Sequence, residues 1–111
     1  MYLKNIEGQT VLDLAKELTV QQGQIVSKTL VQNSYVGITL FAFSKNEEIS
    51  THTSTGDAMV QVLEGTGCFT VGKQKYEVSQ GQSLVMPAEI PHAVYAQTDF
   101  KMLLTVVFPT K

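Results

Sequence analysis

Residues 52–67 read H-T-S-T-G-D-A-M-V-Q-V-L-E-G-T-G, and residues 81–92 read G-Q-S-L-V-M-P-A-E-I-P-H. The first stretch sets a short apolar run, Met59 to Leu63, directly before Glu64-Gly65-Thr66-Gly67. A run that short, closed by a glycine turn, reads as a strand, since a helix would need about ten residues of sustained pattern. The second stretch sets Ser83 to Met86 before Pro87. Proline has no N–H for a strand ladder, so the strand stops there.

The same pattern continues outward from both stretches. Ile25 to Val31 alternates in part, and Tyr35 to Phe43 is a near-continuous β-branched and aromatic run, as in a strand buried on both faces. Ile49 to His52, Cys68 to Val71, Lys75 to Val78, Ala93 to Ala96 and Lys101 to Phe108 complete the series, punctuated by Gly72-Lys73 and Ser79-Gln80-Gly81. Short strands at close spacing predict an all-β sandwich or barrel. Only the N-terminal region carries a helical signal. Val11, Leu14, Ala15 and Leu18 share one helical face, and Thr10 with Asp13 resembles a capping box with Asp in the Glu position. The spacing predicts one short helix near residues 10–19, too short to stand without packing on the sheet.

Composition bounds the rest. With 111 residues, 43% hydrophobic and 16% charged, the chain is expected to form one domain over residues 1–111. The formal net charge is −2, and all eight basic residues are Lys. An acidic chain without Arg argues against nucleic acid as a partner. The lone Cys68 forms no internal disulfide. No apolar run approaches a membrane span and no signal-peptide pattern opens the chain, so a cytoplasmic protein without a membrane partner is expected.

Several strands are apolar at both parities: Met59 and Leu63 alternate with Val60 and Val62, and Leu103 and Val107 with Leu104 and Val106. A single sheet layer buries one face only. One short helix cannot cover several strands, which predicts a homodimer that stacks sheets.

Together, V-L-E-G-T-G and G-Q-S-L-V-M-P-A-E-I-P-H resemble the two motifs of the cupin superfamily, in order and at the usual separation. The resemblance spans roughly residues 36–108, with residues 1–35 as an N-terminal segment. It implies an antiparallel jelly-roll β-barrel with a functional site at its mouth. It also implies a metal held by two His and a carboxylate from the first motif and a His from the second. Position by position, the first His is His52, the second is replaced by Ser54, the carboxylate by Ala58, and the motif-two His is His92. The Asn position that follows His92 is Ala96. Half of the ligand set survives, and it comprises both His residues of the chain.

Strand parity sorts what can face the interior. If His92 points in, so do Val94 and Ala96, and Tyr95 points out. If Ala58 points in, so do Val60 and Val62, and Asp57 points out. A one-residue bulge beside Gly56 would turn Asp57 inward and complete the two-His, one-carboxylate set of non-haem iron sites. Without it, two imidazoles hold a divalent transition metal weakly, since catalytic zinc takes three protein ligands and structural zinc four. Asp57 is otherwise a turn residue, Thr53 and Ser54 strand-end hydroxyls, Cys68 an inert buried thiol, and Met59, Met86 and Met102 core.

Two functional classes follow. An apolar barrel lined by Ala58, Val60, Val62, Val94 and Ala96, with Ser54 at its edge and two imidazoles as polar handles, suits a small-molecule ligand. The alternative is a metal-dependent oxygenase or isomerase using His52, His92 and Asp57, which needs three ligands and an open coordination position. A metal-free acid–base enzyme would need a group that orients the imidazoles, and no carboxylate in the sequence is an evident candidate.

Overall fold

A computed structural model describes residues 1–110. Nine strands run in order: β1 (Ile25–Gln32), β2 (Val36–Phe43), β3 (Glu48–His52), β4 (Asp57–Glu64), β5 (Thr66–Val71), β6 (Gln74–Ser79), β7 (Ser83–Met86), β8 (His92–Ala96) and β9 (Phe100–Val107). Each expected strand is present. They form two antiparallel sheets, one ordered β1-β2-β9-β4-β7 and one ordered β3-β8-β5-β6. This is the jelly-roll architecture: the sheets face each other as a flattened barrel, with β1, β7, β3 and β6 at the edges.

The inner faces obey the expected parity. Along β4, Ala58, Val60 and Val62 are buried, and along β8, His92, Val94 and Ala96 are buried while Tyr95 is exposed. One end of the barrel is filled by three rings. Phe43 stacks on Phe100 at 4.6 Å between centroids, and Phe69 meets Phe100 edge-on at 6.2 Å. All three are fully buried among Val60, Val62, Ala96 and Val78. Gly65 makes the tight β4–β5 turn at this end. It takes a left-handed φ of 72°, and a Cβ there would overlap the Asp99 carbonyl, so the position admits only glycine.

The outer face of the larger sheet carries a second apolar cluster, Leu30, Leu40 and Ala42 with Leu103, Leu63, Val26 and Ile38. Residues of the N-terminal segment cover it: Ile6, Leu14, Leu18 and Val20 pack there. Part of the two-faced apolarity is therefore satisfied within one chain, by an irregular strap rather than a helix.

The expected helix over residues 10–19 is only a single 3-10 turn, Leu14–Lys16, capped by Asp13 rather than Thr10. Two competing interactions account for this. Lys101 donates its ammonium to the Ala15 carbonyl, which an α-helix would reserve for its own ladder, and Thr10 turns its hydroxyl back to the Gly8 carbonyl. Leu14, Ala15 and Leu18 do face the sheet, but Val11 is 99% exposed. The Lys28–Glu17 ion pair at 3.1 Å and the Lys101–Glu64 pair at 3.6 Å lie beside the strap.

Because Phe100 touches both other rings of the closed end, Phe100→Ala should lower stability by about 3–5 kcal/mol. Urea denaturation followed by far-UV circular dichroism measures it; a loss below 1 kcal/mol would mean the rings do not hold the sheets together.

Candidate functional site

His52 ends β3 and His92 begins β8, so the chain leaves and re-enters the smaller sheet at the same end. In the β3–β8 ladder Ile49 pairs with Val94, yet His52 pairs with His92, so a one-residue bulge lies between them on β3. Its effect follows from the two-residue period of a strand. Ile49 faces inward, and three residues later an unbroken strand would point His52 outward. The bulge restores His52 to the inner face, opposite His92. The bulge that could have turned Asp57 inward beside Gly56 has its counterpart on β3, where it serves His52.

The rings meet at 4.2 Å between centroids, with planes inclined by 65°. Each is oriented by the same local device. His52 Nδ1 lies 2.9 Å from the Ser50 carbonyl, and His92 Nδ1 lies 3.1 Å from the Ile90 carbonyl. A carbonyl only accepts, so both Nδ1 atoms carry the proton, and in the neutral rings both Nε2 atoms carry lone pairs. His92 is 5% exposed, whereas His52 sits exposed at the rim. Among the described residues no buried side-chain nitrogen or oxygen lacks a partner.

The loop that delivers His92 is fixed to the start of β4. Ala88 N–H donates to Asp57 Oδ1 at 2.8 Å, and Glu89 N–H donates to the Ser54 carbonyl at 2.8 Å. Gly56, between these anchors, runs so close to β9 that a Cβ would lie 2.5 Å from the Val107 carbonyl oxygen. Asp57 is exposed, and its carboxylate faces this loop. The structure therefore does not bring Asp57 to the two imidazoles, because the outward parity of β4 holds at that position. It acts instead as a clamp on the 87–90 turn.

A cavity of about 460 Å³ opens beside the rings. Of the expected lining, His52, Ser54, Ala58, His92 and Val94 are present. Val60, Val62 and Ala96 point inward but lie below the cavity, in the packed core of the closed end. Parity assigned their face correctly, but carries no information about depth. The lining that sequence reading missed comprises the apolar Phe41, Ile49, Met86, Met102, Leu104 and Val106 and the rim hydroxyls of Thr53 and Thr55. The β2, β7 and β9 members could have been found by extending the inward parity to those strands. Among the described residues, no Lys, Arg, Asp or Glu lines the cavity.

Residues 39–108 match the cupin domain family. The chain belongs to the cupin family. It is 49% identical to a conserved protein of unknown function from Streptococcus pyogenes, whose crystal structure superposes over 100% of this chain and 97% of that one with a TM-score of 0.98. A cupin superfamily protein from Desulfitobacterium hafniense is 31% identical over 96% of this chain and 98% of that one, with a TM-score of 0.91. An uncharacterised protein from Methanocaldococcus jannaschii is 25% identical over 91 residues, covering 78% of this chain and 73% of that protein.

The metal implied by the cupin resemblance does not fit the donor set of this chain. Two Nε2 atoms are free to ligate, but no group of three His, Cys, Asp or Glu is gathered among the described residues. Ser54 already accepts the Gly56 N–H on its hydroxyl at 3.1 Å. Ala58 and Ala96 offer methyl groups, and Asp57 faces elsewhere. Two nitrogens fall short of the three protein ligands that an open metal site uses.

In this cupin, ¹⁵N chemical shifts recorded at a pH where both rings are neutral should place the proton on Nδ1 of His52 and of His92. Nε2–H in either ring would remove the carbonyl-based orientation.

Proposed function

We propose that this cupin is a small-molecule-binding barrel. The supporting observation is the cavity of about 460 Å³, walled by side chains of the core and given direction by two imidazoles at its mouth. Specific small-molecule sites have this composition, apolar walls with few directed polar groups, and this range of volume. The rings are set by backbone carbonyls, so they stand in place before a ligand arrives. The competing reading, a metal-dependent oxygenase or isomerase using His52, His92 and Asp57, is disfavoured by the engagement of Asp57 with Ala88.

Elemental analysis of protein purified without chelator separates the two readings. The binding barrel predicts far less than one metal per chain. Added ions should bind weakly and follow the affinity order, Cu(II) and Ni(II) above Mn(II). Near-stoichiometric iron, zinc or manganese surviving dialysis would overturn the proposal. His52→Ala should weaken ligand and added-metal binding with little change in stability, because the ring sits at the exposed rim.

We also infer a homodimer. Outside the strap, the outer face of the larger sheet still exposes Met59, Val85 and Val107 at 38%, 56% and 58%. Met59 and Val85 are direct partners across β4 and β7. A second copy would cover this stripe, and sedimentation at micromolar concentration should give twice the monomer mass. A monomer mass would show that the strap alone is cover enough.

A further inference from the structure

The two imidazoles say more about the ligand than that it is small. The Ser50 and Ile90 carbonyls hold both Nδ1 protons, so each neutral ring turns an acceptor nitrogen, and no donor, to its free side. Among the described residues no Lys or Arg lines the cavity, so none of them supplies positive charge there. Its other polar groups are the hydroxyls of Thr53, Ser54 and Thr55 at the rim. Opposite the rings lie Phe41, Leu104 and Val106.

We propose that the cavity takes an uncharged molecule with an apolar, ring-sized body and a hydroxyl head, the O–H donating to Nε2 of His52 or His92. This rests on the binding-barrel reading and narrows it to one ligand class. A carboxylate or phosphate head is selected against, because its oxygens would face the lone pairs of the two Nε2 atoms in a site without a cationic side chain. An ether or hydrocarbon of the same shape would fill the walls but leave the Nε2 atoms cut off from water without a donor. A site built to hydrogen-bond a hydroxyl discriminates strongly against the analogue that lacks one. The ring centroids lie 4.2 Å apart, so both imidazoles border the same part of the cavity mouth.

The test is calorimetric titration of the full chain, stripped of metal, with three probes of one shape: 2-naphthol, 2-methoxynaphthalene and 2-naphthoate. Naphthol should bind, the ether about tenfold or more weakly, and naphthoate more weakly than naphthol. On naphthol binding the ¹⁵N resonances of Nε2 should shift while Nδ1 stays protonated. In His52→Ala the gap between naphthol and ether should narrow. Equal binding of naphthol and ether, or tightest binding by naphthoate, would overturn the hydroxyl-head proposal and leave the binding barrel intact. Failure of all three to bind would instead overturn the binding barrel, and this proposal with it.

Discussion

The structure depends on how the space between the two sheets is filled. Phe43, Phe69 and Phe100 occupy one end completely. Rings of this size hold the sheets apart along the whole barrel. At the other end Phe41 is the one inward ring among smaller or flexible side chains, Ala58, Val94, Val106, Met86 and Met102, which span the same separation less fully. The cavity is the difference between these two ends. It needs no special device: three packed rings at one end and mostly slighter side chains at the other suffice, because protein interiors cannot close up around missing volume beyond small shifts.

On that open end the chain places its two imidazoles, and both are governed by backbone. A bulge in β3 sets the face of His52, and a carbonyl two residues earlier sets the ring of each His. The 87–90 turn that leads into His92 is tied to β4 through Asp57 and Ser54. Asp57 is thus part of the site's frame without contributing to its chemistry. Carbonyls in the orienting role fix the tautomer but add no negative charge, unlike the carboxylates that accompany many metal-bound or catalytic His. When the rings are neutral, the mouth of the apolar cavity therefore presents acceptor nitrogens.

The strands were legible because period-two burial and glycine or proline punctuation act locally, within each segment. All nine appear where the apolar runs and turns put them, and the inward parity of β4 and β8 holds residue by residue. The helix was misread because its periodicity at Leu14, Ala15 and Leu18 is real but reports only which side touches the sheet. The backbone conformation was decided by Lys101, distant in sequence, which takes the Ala15 carbonyl. The convergence of His52 and His92 could be anticipated from the paired motifs. The bulge that produces it could not, since Ser50-Thr51 has no glycine or other composition that marks an irregular strand. Depth was equally hidden: Val60, Val62 and Ala96 share a face with the cavity-lining residues, and only the three aromatic rings decide that they lie beneath it.

The bulge on β3 also bears on how such a site is gained or lost over generations. A point substitution can replace an imidazole, but it leaves the direction of its neighbours unchanged. Closing the bulge at unchanged length acts like a frameshift in space: the ladder runs on regularly from Ile49, Ile49 stays inward, and the imidazole three residues later turns to solvent without any change in its identity. Removing one residue together with the bulge instead leaves the imidazole inward, because it then lies two residues from Ile49 in a regular strand. A lineage comparison that scores only which amino acid occupies the position would record the histidine as retained in both. In this fold the match between the bulge and the length of the segment before His52 is as much a part of the site as the histidine itself.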